Sequence, residues 1–267
     1  MARLAEAMAN LNVKRGSVAL AWLGQGGFLI KSAGGATVMV DPYLSDDAEL
    51  IWGAKRAIPA PIAPEELTPD LLLVSHWHED HLDRTSIVAY AKQPGITLAG
   101  PRSCLVRAQN WGWPAERQVL LEQEITHAFA DTGIGVEATF ARHEDSLAQV
   151  PDAVGFLIDA GESRIWIVGD TEYDARLRAF RDRGIDVMCL PINGSGGNMN
   201  VYEAALLAWW VEPRYAAPMH YDMWSAESYG PGATLDPWQF DAFLHRLESP
   251  TETRVLQAGE IAIFSTR

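Results

Sequence analysis

Four side chains that can bind a metal ion stand within six residues of the sequence, at His76, His78, Asp80 and His81. Imidazole nitrogens and carboxylate oxygens suit Zn²⁺, Mn²⁺ and Fe²⁺. Two histidines separated by one residue in an extended segment point to the same side of the backbone, because side chains alternate along a strand. A polar loop that contains these side chains by accident is the alternative, but so dense a group of ligand types is improbable without a metal.

Four more residues of ligand type follow other apolar segments: Asp41, His143, Asp170 and His220. Taken singly, Asp170 could be a helix N-cap, His143 an ordinary surface histidine and His220 a buried, hydrogen-bonded histidine. Asp-Pro begins turns, so Asp41 is interpreted as a turn residue or as a support for a ligand. Together with the cluster at 76–81, the ligand interpretation is favoured for His143, Asp170 and His220.

The substrate contacts are predicted from a glycine-rich segment and from the neighbours of His220. Residues 191–200, PINGSGGNMN, could bind an anion through backbone N–H groups and the start of the next helix, or could be a flexible connector. Asn193 is the side chain of this segment that we expect to contact the substrate. Tyr221 and Trp224 could line the cleft or pack in the core. The basic residues that could bind a phosphate are not ranked: Arg56, Arg102 and Arg142.

The elements that must position these residues are short strands rich in Val and Ile and bounded by Gly, Pro or Asp. The predicted strands are Val18–Leu23, Phe28–Ser32, Thr37–Val40, Leu71–Ser75, Ile96–Ala99, Gly135–Phe140, Val154–Ile158, Ile165–Val168, Val187–Leu190, Tyr215–Met219, Val255–Gln257 and Ile261–Phe264. The ligand types therefore follow the carboxyl ends of strands, where sites in layered α/β folds gather.

Helices are predicted between the strands from capping signals. One runs over 84–92 with Asp83 as its N-cap. A second begins at Asn200, which forms a variant of the capping box with Glu203. A third follows Asp236 and has proline at its first position. Strands mixed with helices predict an α+β (α/β layered) domain.

A faint internal repeat relates residues 27–41, GFLIKSAGGATVMVD, to residues 155–170, GFLIDAGESRIWIVGD. Each segment is typical of a hairpin whose second strand ends near an aspartate. We therefore predict one domain over 1–267 with two similar halves, roughly 18–130 and 131–267. If the halves pack face to face, Asp41 and Asp170 lie at one rim; the alternative is that hairpins resemble each other by chance.

Composition limits the classes of function. Apolar residues make up 48% of the 267 residues and charged residues 21%, which allows a sizeable core. The net charge of −14 repels nucleic acid, and no apolar run approaches the length of a membrane span. We expect a cytoplasmic protein with no membrane or nucleic-acid partner. Ten tryptophans leave room for a homo-oligomer interface.

The stretch SHWHEDHLD, with His143, Asp170 and His220 following in order, resembles the His-x-His-x-Asp-His motif of the metallo-β-lactamase superfamily. The segments AWLGQGGFLIKSAGGATVMVDPYLS, AGPRSC, NWGWPAER, VGDTEYD and PMHYDMW are similar to the L-ascorbate-6-phosphate lactonase branch and its uncharacterised bacterial relatives. The resemblance extends over about 21–264. It implies the metallo-β-lactamase fold, a four-layer αβ/βα sandwich with the metals at one edge.

Two divalent metal ions and their ligands are implied by this resemblance. One ion, Zn²⁺, Mn²⁺ or Fe²⁺, would be bound by His76, His78 and His143. The other would be bound by Asp80, His81 and His220, and Asp170 would bridge the two. A hydroxide between the ions would attack the substrate, with Asp80 orienting it and carrying its proton.

The expected function is hydrolysis of a small anionic lactone, ester or phosphoester. One alternative is a phosphodiesterase or nuclease of the same superfamily, against which the acidic charge counts. The other is a metal-binding protein that has lost catalysis, against which the complete set of ligand types counts.

Overall fold

The computed structural model describes residues 2–143 and 150–266. The helices are α1 (Ala2–Asn10), α2 (Asp47–Trp52), α3 (Arg84–Ala91), α4 (Arg102–Asn110), α5 (Val201–Val211), α6 (Ala226–Tyr229) and α7 (Pro237–Arg246), with 3₁₀ helices at Pro64–Glu66, Ala115–Arg117 and Ala175–Arg183. The strands are β1 (Ser17–Gly24), β2 (Gly27–Lys31), β3 (Thr37–Val40), β4 (Leu71–Leu73), β5 (Thr97–Gly100), β6 (Gln118–Leu120), β7 (Thr126–Phe129), β8 (Ile134–Phe140), β9 (Val154–Ala160), β10 (Ser163–Ile167), β11 (Val187–Pro191), β12 (Tyr215–Met219), β13 (Glu252–Thr253) and β14 (Ile261–Ser265).

The strands form two seven-stranded mixed sheets. Their orders are β14-β1-β2-β3-β4-β5-β6 and β13-β12-β11-β10-β9-β8-β7. In each sheet three antiparallel pairings are followed by three parallel ones, so β2–β3–β4 corresponds to β9–β10–β11. The chain leaves the first sheet between β6 and β7 and returns to it for β14.

Each sheet is covered on both faces, which explains why its strands are almost continuously apolar. Along β1, Val18, Leu20 and Trp22 pack in the core between the sheets. Ala19, Ala21 and Leu23 face the opposite way and pack with α1, α3 and α4. The main core also contains buried side chains of α5 and α7. The layers are therefore helix, sheet, sheet and helix, as predicted.

Three predictions about the elements need correction. Val255–Gln257 is not a strand; the edge strand there is β13, which pairs with β12, while residues 254–257 form a connection towards β14. Two short edge strands, β6 and β7, had not been predicted because neither is a buried apolar run.

The third correction concerns Asp83, which stands at the N-cap position of α3 without capping the helix through its side chain. Its buried carboxylate instead accepts hydrogen bonds from Leu44 N, Ser45 Oγ and Ser86 Oγ, at 2.9, 2.6 and 2.6 Å. These bonds tie the segment after β3 to the start of α3.

Candidate metal centre

The predicted ligands meet at one edge of the two sheets, each just beyond the end of a strand. The segment 76–81 follows β4, and His143 follows β8 in the other sheet. Asp170 follows β10, and His220 directly follows β12. The folding of two similar sheets against each other thus brings residues separated by more than a hundred positions into one cluster.

The first group of ligand atoms consists of three histidine nitrogens. His78 Nδ1 lies 3.0 Å from His76 Nε2 and 3.1 Å from His143 Nε2. All three atoms lie within 4.8 Å of one another. Ligands of a four-coordinate ion with metal–nitrogen distances of about 2.0–2.1 Å are separated by roughly 3.3 Å, so this spacing suits a single ion.

The second group joins two histidines and two carboxylates. His81 Nε2 lies 3.3 Å from His220 Nε2. Asp170 Oδ2 lies 3.4 Å from His81 Nε2 and 3.2 Å from His220 Nε2. Asp80 Oδ2 lies 3.7 and 3.6 Å from the same two nitrogens. Asp170 also belongs to a group with His76 and His81, and it therefore lies between the two sets of ligands.

The Nδ1 atoms of His76 and His81 are hydrogen-bonded on the side of each ring that faces away from the cluster, so the Nε2 atoms face the cluster. Asp41 Oδ2 accepts from His81 Nδ1 at 2.8 Å and from Ser75 Oγ at 2.6 Å. Because the one hydroxyl proton of Ser75 goes to Asp41, Ser75 Oγ accepts from His76 Nδ1 at 3.0 Å. In the neutral rings, the proton is therefore on Nδ1 and the lone pair of Nε2 is free to bind a metal, as a ligand requires.

Two further ligands are held from the loop between β11 and α5. Gly197 O accepts from His143 Nδ1 at 3.2 Å, which leaves His143 Nε2 without a proton. Asn198 Nδ2 donates to Asp170 Oδ2 at 2.9 Å. For this loop the sequence left anion binding and a flexible connector open, and the structure shows that it holds two of the candidate ligands.

Burial and the neighbouring carboxylates shift the pKa values of these groups in opposite directions: burial favours neutral rings at His76 and His78, and the carboxylates favour a positive charge beside His81. Burial lowers the pKa of His76 well below its usual range and that of His78 to about 4. Burial also lowers the pKa of His81, but Asp170, Asp80 and Asp41 raise it more, to well above its usual value. Burial raises the pKa of Asp170, yet His220 and His81 lower it further, so this carboxyl is ionised.

These observations fit a pair of metal ions. Asp170 Oδ1 is buried and has no hydrogen-bond partner among the described residues. A buried ionised oxygen without a partner is costly, and a cation at this position removes the cost. In the neutral rings of His76, His81 and His143 the Nε2 lone pairs face the cluster beside two carboxylates, an arrangement that a cation stabilises. The donor set suits divalent ions with nitrogen and oxygen preference.

Three residues around the candidate ligands are not glycine and yet have a positive φ, which strains the backbone. Gln25, Asp41 and His220 have φ of +47°, +43° and +67°, a region that residues with a side chain rarely adopt. Beside them, a Cβ on Gly26 would lie 2.6 Å from Cε1 of His81. The turn between β1 and β2 therefore needs glycine at this position to let the His81 ring pack.

A cleft of about 640 Å³ opens onto the ligands. Its walls carry aromatic side chains, and its polar lining includes six predicted positions: His78, Asp80, His143, Asp170, Asn193 and His220. The aromatic residues that line it are Trp52, Trp77, Trp224 and Tyr229. The Trp224 ring lies 6.0 Å from Trp52 and 5.2 Å from Tyr229, centroid to centroid.

Tyr221 does not reach this cleft. Its ring stacks on Trp22 at 4.7 Å, and its hydroxyl donates to Leu256 O at 2.8 Å. It lines a separate cleft of about 880 Å³ that contains none of the ligands. The sequence had left cleft lining and core packing open for Tyr221 and Trp224, and the structure separates the two residues.

The start of α5 cannot bind an anion, because its N–H groups are already used. Asn200 Oδ1 accepts from Tyr202 N and Glu203 N, at 3.0 Å each. Val201 N donates to Thr234 Oγ1, and Asn200 N donates to Glu203 Oε2. The predicted capping box is confirmed, and it removes the helix start as an anion site.

The basic residues considered for a phosphate lie elsewhere. Arg56 donates to Tyr43 O and Ile58 O. Arg102 lines another cleft, and Arg142 pairs with Glu172 at 3.3 Å. Among residues 2–143 and 150–266, no lysine or arginine lines the cleft beside the ligands. Residues 144–149, which lie outside the described part, read EDSLAQ and also carry no basic side chain.

Several residues of the site were not predicted. Tyr229 Oη donates to Gln25 Oε1 at 2.7 Å, and Gln25 Nε2 donates to Asp80 Oδ2 at 3.1 Å, so this pair holds Asp80. Glu79 lies inside the histidine motif itself and lines the cleft. Asn198 was visible in the glycine-rich segment, but Gln25 and Tyr229 carried no signal of their own because only the fold brings them together.

Comparison with known proteins identifies the family and supports the architecture. A model of the "Beta-lactamase superfamily domain" matches residues 19–220. A protein of Carboxydothermus hydrogenoformans described as a "UPF0173 metal-dependent hydrolase" is 30% identical over 249 residues, which cover 89% of this chain and 99% of that one. A relative in Methanopyrus kandleri with the same description is 28% identical over 248 residues, 90% and 97% of the two chains.

A solved structure supports the fold independently. A metallo hydrolase of Ignicoccus hospitalis superposes with a TM-score of 0.73 at 22% identity, over 94% of this chain and all of that one. No helix within the described ranges is both long enough and apolar enough to cross a bilayer.

Proposed function

The chain belongs to the β-lactamase superfamily and, within it, to the UPF0173 metal-dependent hydrolase family, and on this premise we propose that it hydrolyses a carboxylic ester or lactone with two divalent metal ions. One observation carries the proposal. Two groups of ligand atoms, one of three histidines and one of two histidines with Asp80, lie on either side of Asp170 and open onto one cleft.

Bound divalent ions supply a water of lowered pKa and a positive charge for the oxygen that becomes negative during hydrolysis. Asp80 lines the cleft, and its Oδ2 is held by Gln25, which is held in turn by Tyr229. We propose that this fixed carboxylate orients the attacking water and accepts its proton. The aromatic walls exclude bulk water from the reacting group.

A small substrate with a neutral reacting group fits the cleft better than a phosphodiester. The negative charge of a phosphodiester would have to be balanced by the metal ions alone, because no lysine or arginine lines the described cleft. The sequence resemblance to the L-ascorbate-6-phosphate lactonase branch also supports an ester carbonyl, lactones included.

The test combines metal content with a panel of substrates. Protein loaded with Zn²⁺ or with Mn²⁺ is analysed by mass spectrometry of its metals and assayed on p-nitrophenyl acetate, dihydrocoumarin and bis-p-nitrophenyl phosphate. We expect two ions per chain and hydrolysis of the ester or the lactone. Asp170→Ala should lose bound metal and turnover together, whereas Asp131→Ala, at an exposed position, should change neither.

Three outcomes would contradict the proposal. Full activity in metal-free protein would exclude a metal-dependent hydrolase. Two tightly bound ions without turnover of any substrate would indicate a metal-binding protein that has lost catalysis. Cleavage of the phosphodiester alone would identify a phosphodiesterase.

A further inference from the structure

Buried polar atoms without a partner are concentrated in the cleft beside the ligands. Within the described residues, the side-chain atoms of this kind that belong to the cleft lining are Glu79 Oε2, Asp170 Oδ1, Asn193 Oδ1, Asn198 Oδ1 and His220 Nδ1. Asp170 and His220 belong to the metal centre. The two asparagine oxygens do not, although Asn193 is only 3% and Asn198 only 7% exposed.

The orientation of both asparagine amides is fixed by their partners. Asn193 Nδ2 donates to Ser195 O at 3.1 Å, and a carbonyl oxygen can only accept. Asn198 Nδ2 donates to Asp170 Oδ2 at 2.9 Å, and an ionised carboxylate can only accept. Neither amide can be turned over without placing two acceptors in contact, so the unpartnered atom is an acceptor in both cases.

The loop that carries the two residues is held in place. Asn193 O accepts from Thr234 N, and Gly194 N donates to Met199 O, both at 2.9 Å. Met199 N donates to Thr171 O at 2.9 Å, which joins the loop to the segment after Asp170. The two oxygens are therefore presented by a fixed backbone, as a recognition site requires.

The position and chemistry of the two asparagine oxygens suit a contact with the substrate. Asn198 Oδ1 lies within about 5 Å of Asp170 Oδ2, because its own amide nitrogen contacts that atom. No donor among the described residues reaches Asn193 Oδ1 or Asn198 Oδ1, and Glu79 and Asp80 in the same lining are acceptors themselves. An ester carbonyl alone brings no donor, so a second group on the substrate must provide one.

We infer that Asn193 and Asn198 select a substrate that carries an N–H or O–H donor close to its scissile ester bond. The selected class is thus a neutral acylamino or hydroxy ester or lactone, whose apolar part lies against Trp52 and Trp224. This inference rests on the proposed function and deepens it. A buried acceptor left without a donor is costly, so an ester that lacks the donor is rejected.

Two chromogenic esters that differ at one atom test the inference. p-Nitrophenyl N-benzoylglycinate carries an amide N–H, and p-nitrophenyl O-benzoylglycolate has an oxygen in its place. We expect kcat/KM of the metal-loaded protein to favour the N–H ester by at least about tenfold. Asn193→Leu should reduce that preference to near unity, while Asn110→Leu, the same change at an exposed position in α4, should leave it unchanged.

A second variant separates recognition from a structural role. Asn193→Asp replaces the amide nitrogen by an oxygen that can accept from Ser195 Oγ, 3.3 Å from that nitrogen, and it keeps an oxygen that faces the cleft. It should retain the preference for the N–H ester. Loss of the preference in both variants would assign Asn193 to loop structure and overturn the inference.

The ratio of the two hydrolysis rates tests the donor preference, whereas hydrolysis of either ester tests the proposed function. Equal hydrolysis of the two esters by the metal-loaded protein would overturn the inference and leave a metal-dependent hydrolase. If neither ester is hydrolysed, the same pair is titrated against the metal-loaded protein by quenching of tryptophan fluorescence, since three tryptophans line the cleft. Equal affinity for the two would then overturn the inference.

Discussion

Asp41 is the residue that joins the two metal-binding groups. Its carboxylate accepts from His81 directly and from Ser75 N and Oγ, at 2.8, 2.7 and 2.6 Å. Through Ser75 it also fixes the proton of His76, which belongs to the other group. One carboxylate that touches neither candidate metal position therefore sets the protonated nitrogen of one ligand for each ion.

We predict that Asp41→Asn lowers the affinity for both metal ions by about 10- to 100-fold, which is typical when a residue hydrogen-bonded to a metal ligand is lost. Ser75 Oγ and His81 Nδ1 donate to Oδ2 and Ser75 N donates to Oδ1, so an amide would place its NH₂ group against at least one of these donors. Titration of metal-free protein with Zn²⁺ by calorimetry measures the effect. Asp70→Asn, which removes an exposed carboxylate that accepts from Thr37, should leave both affinities unchanged. Unchanged affinities in Asp41→Asn would show that Ser75 alone orients the rings.

The cluster of candidate ligands could be predicted from sequence because histidines and aspartates follow the ends of several strands. Their supports could not be predicted in the same way. Gln25, Tyr229 and Asn198 are ordinary residues whose role depends on tertiary contacts across the two sheets. Asp41 was interpreted as a turn residue or as a support for a ligand because Asp-Pro begins turns, and in the structure its carboxylate accepts from His81.

At the scale of elements, α5 shows how the loop before it is fixed. The helix begins with a reciprocal capping box between Asn200 and Glu203. Thr234 Oγ1 accepts from Val201 N and also donates to Ile192 O, so one hydroxyl joins the helix to the end of β11. The loop between them is thereby attached at both ends.

We predict that Asn200→Ala lowers the free energy of unfolding by about 1 kcal/mol, the usual cost of losing an N-cap side chain. Urea unfolding followed by circular dichroism measures it as a lower midpoint with an unchanged slope. Asn110→Ala, at the exposed end of α4, serves as the control. A midpoint equal to that of the original protein would mean that water replaces the cap without loss.

The central strands could be predicted because burial on both faces makes them short apolar runs between turn residues. Three of the four edge strands, β6, β7 and β13, could not, since none of their side chains is buried; the fourth, β14, was predicted as Ile261–Phe264. The connection at 255–257 looked like a strand because Val255 and Leu256 are apolar, yet Leu256 O is used by Tyr221 rather than by a sheet.

At the scale of the whole molecule, each of the two cysteines is buried beside or within a different sheet, so the reactivity of each thiol measures the opening of one sheet. Cys104 lies in α4 against the first sheet and Cys189 in β11 of the second, and both are fully buried. Burial raises the pKa of both thiols well above its usual value. Neither thiolate is formed near neutral pH in the folded protein, and neither sulfur can be reached by a reagent.

We therefore predict that Ellman's reagent reacts with neither thiol in the folded protein and with both after denaturation. Added at intermediate urea concentrations, the reagent should label both thiols at one common rate, because the sheets share a core. Cys104→Ala and Cys189→Ala assign the rates to each thiol. Much faster labelling of one thiol would show that its sheet opens independently of the other.

The return of β14 to the first sheet has a consequence for how the protein is made. β14 pairs with β1, so Ser17 is matched with Ser265, nearly the whole described chain away. During synthesis on the ribosome, β14 is the last of these strands to emerge, so β1 pairs first with β2 alone. Until then, the nascent first sheet has an unpaired outer edge of eight residues, which is a surface prone to aggregation. The outer edge of β1 is covered only after β14 has been translated. We therefore expect chaperones to be needed most in the interval before that.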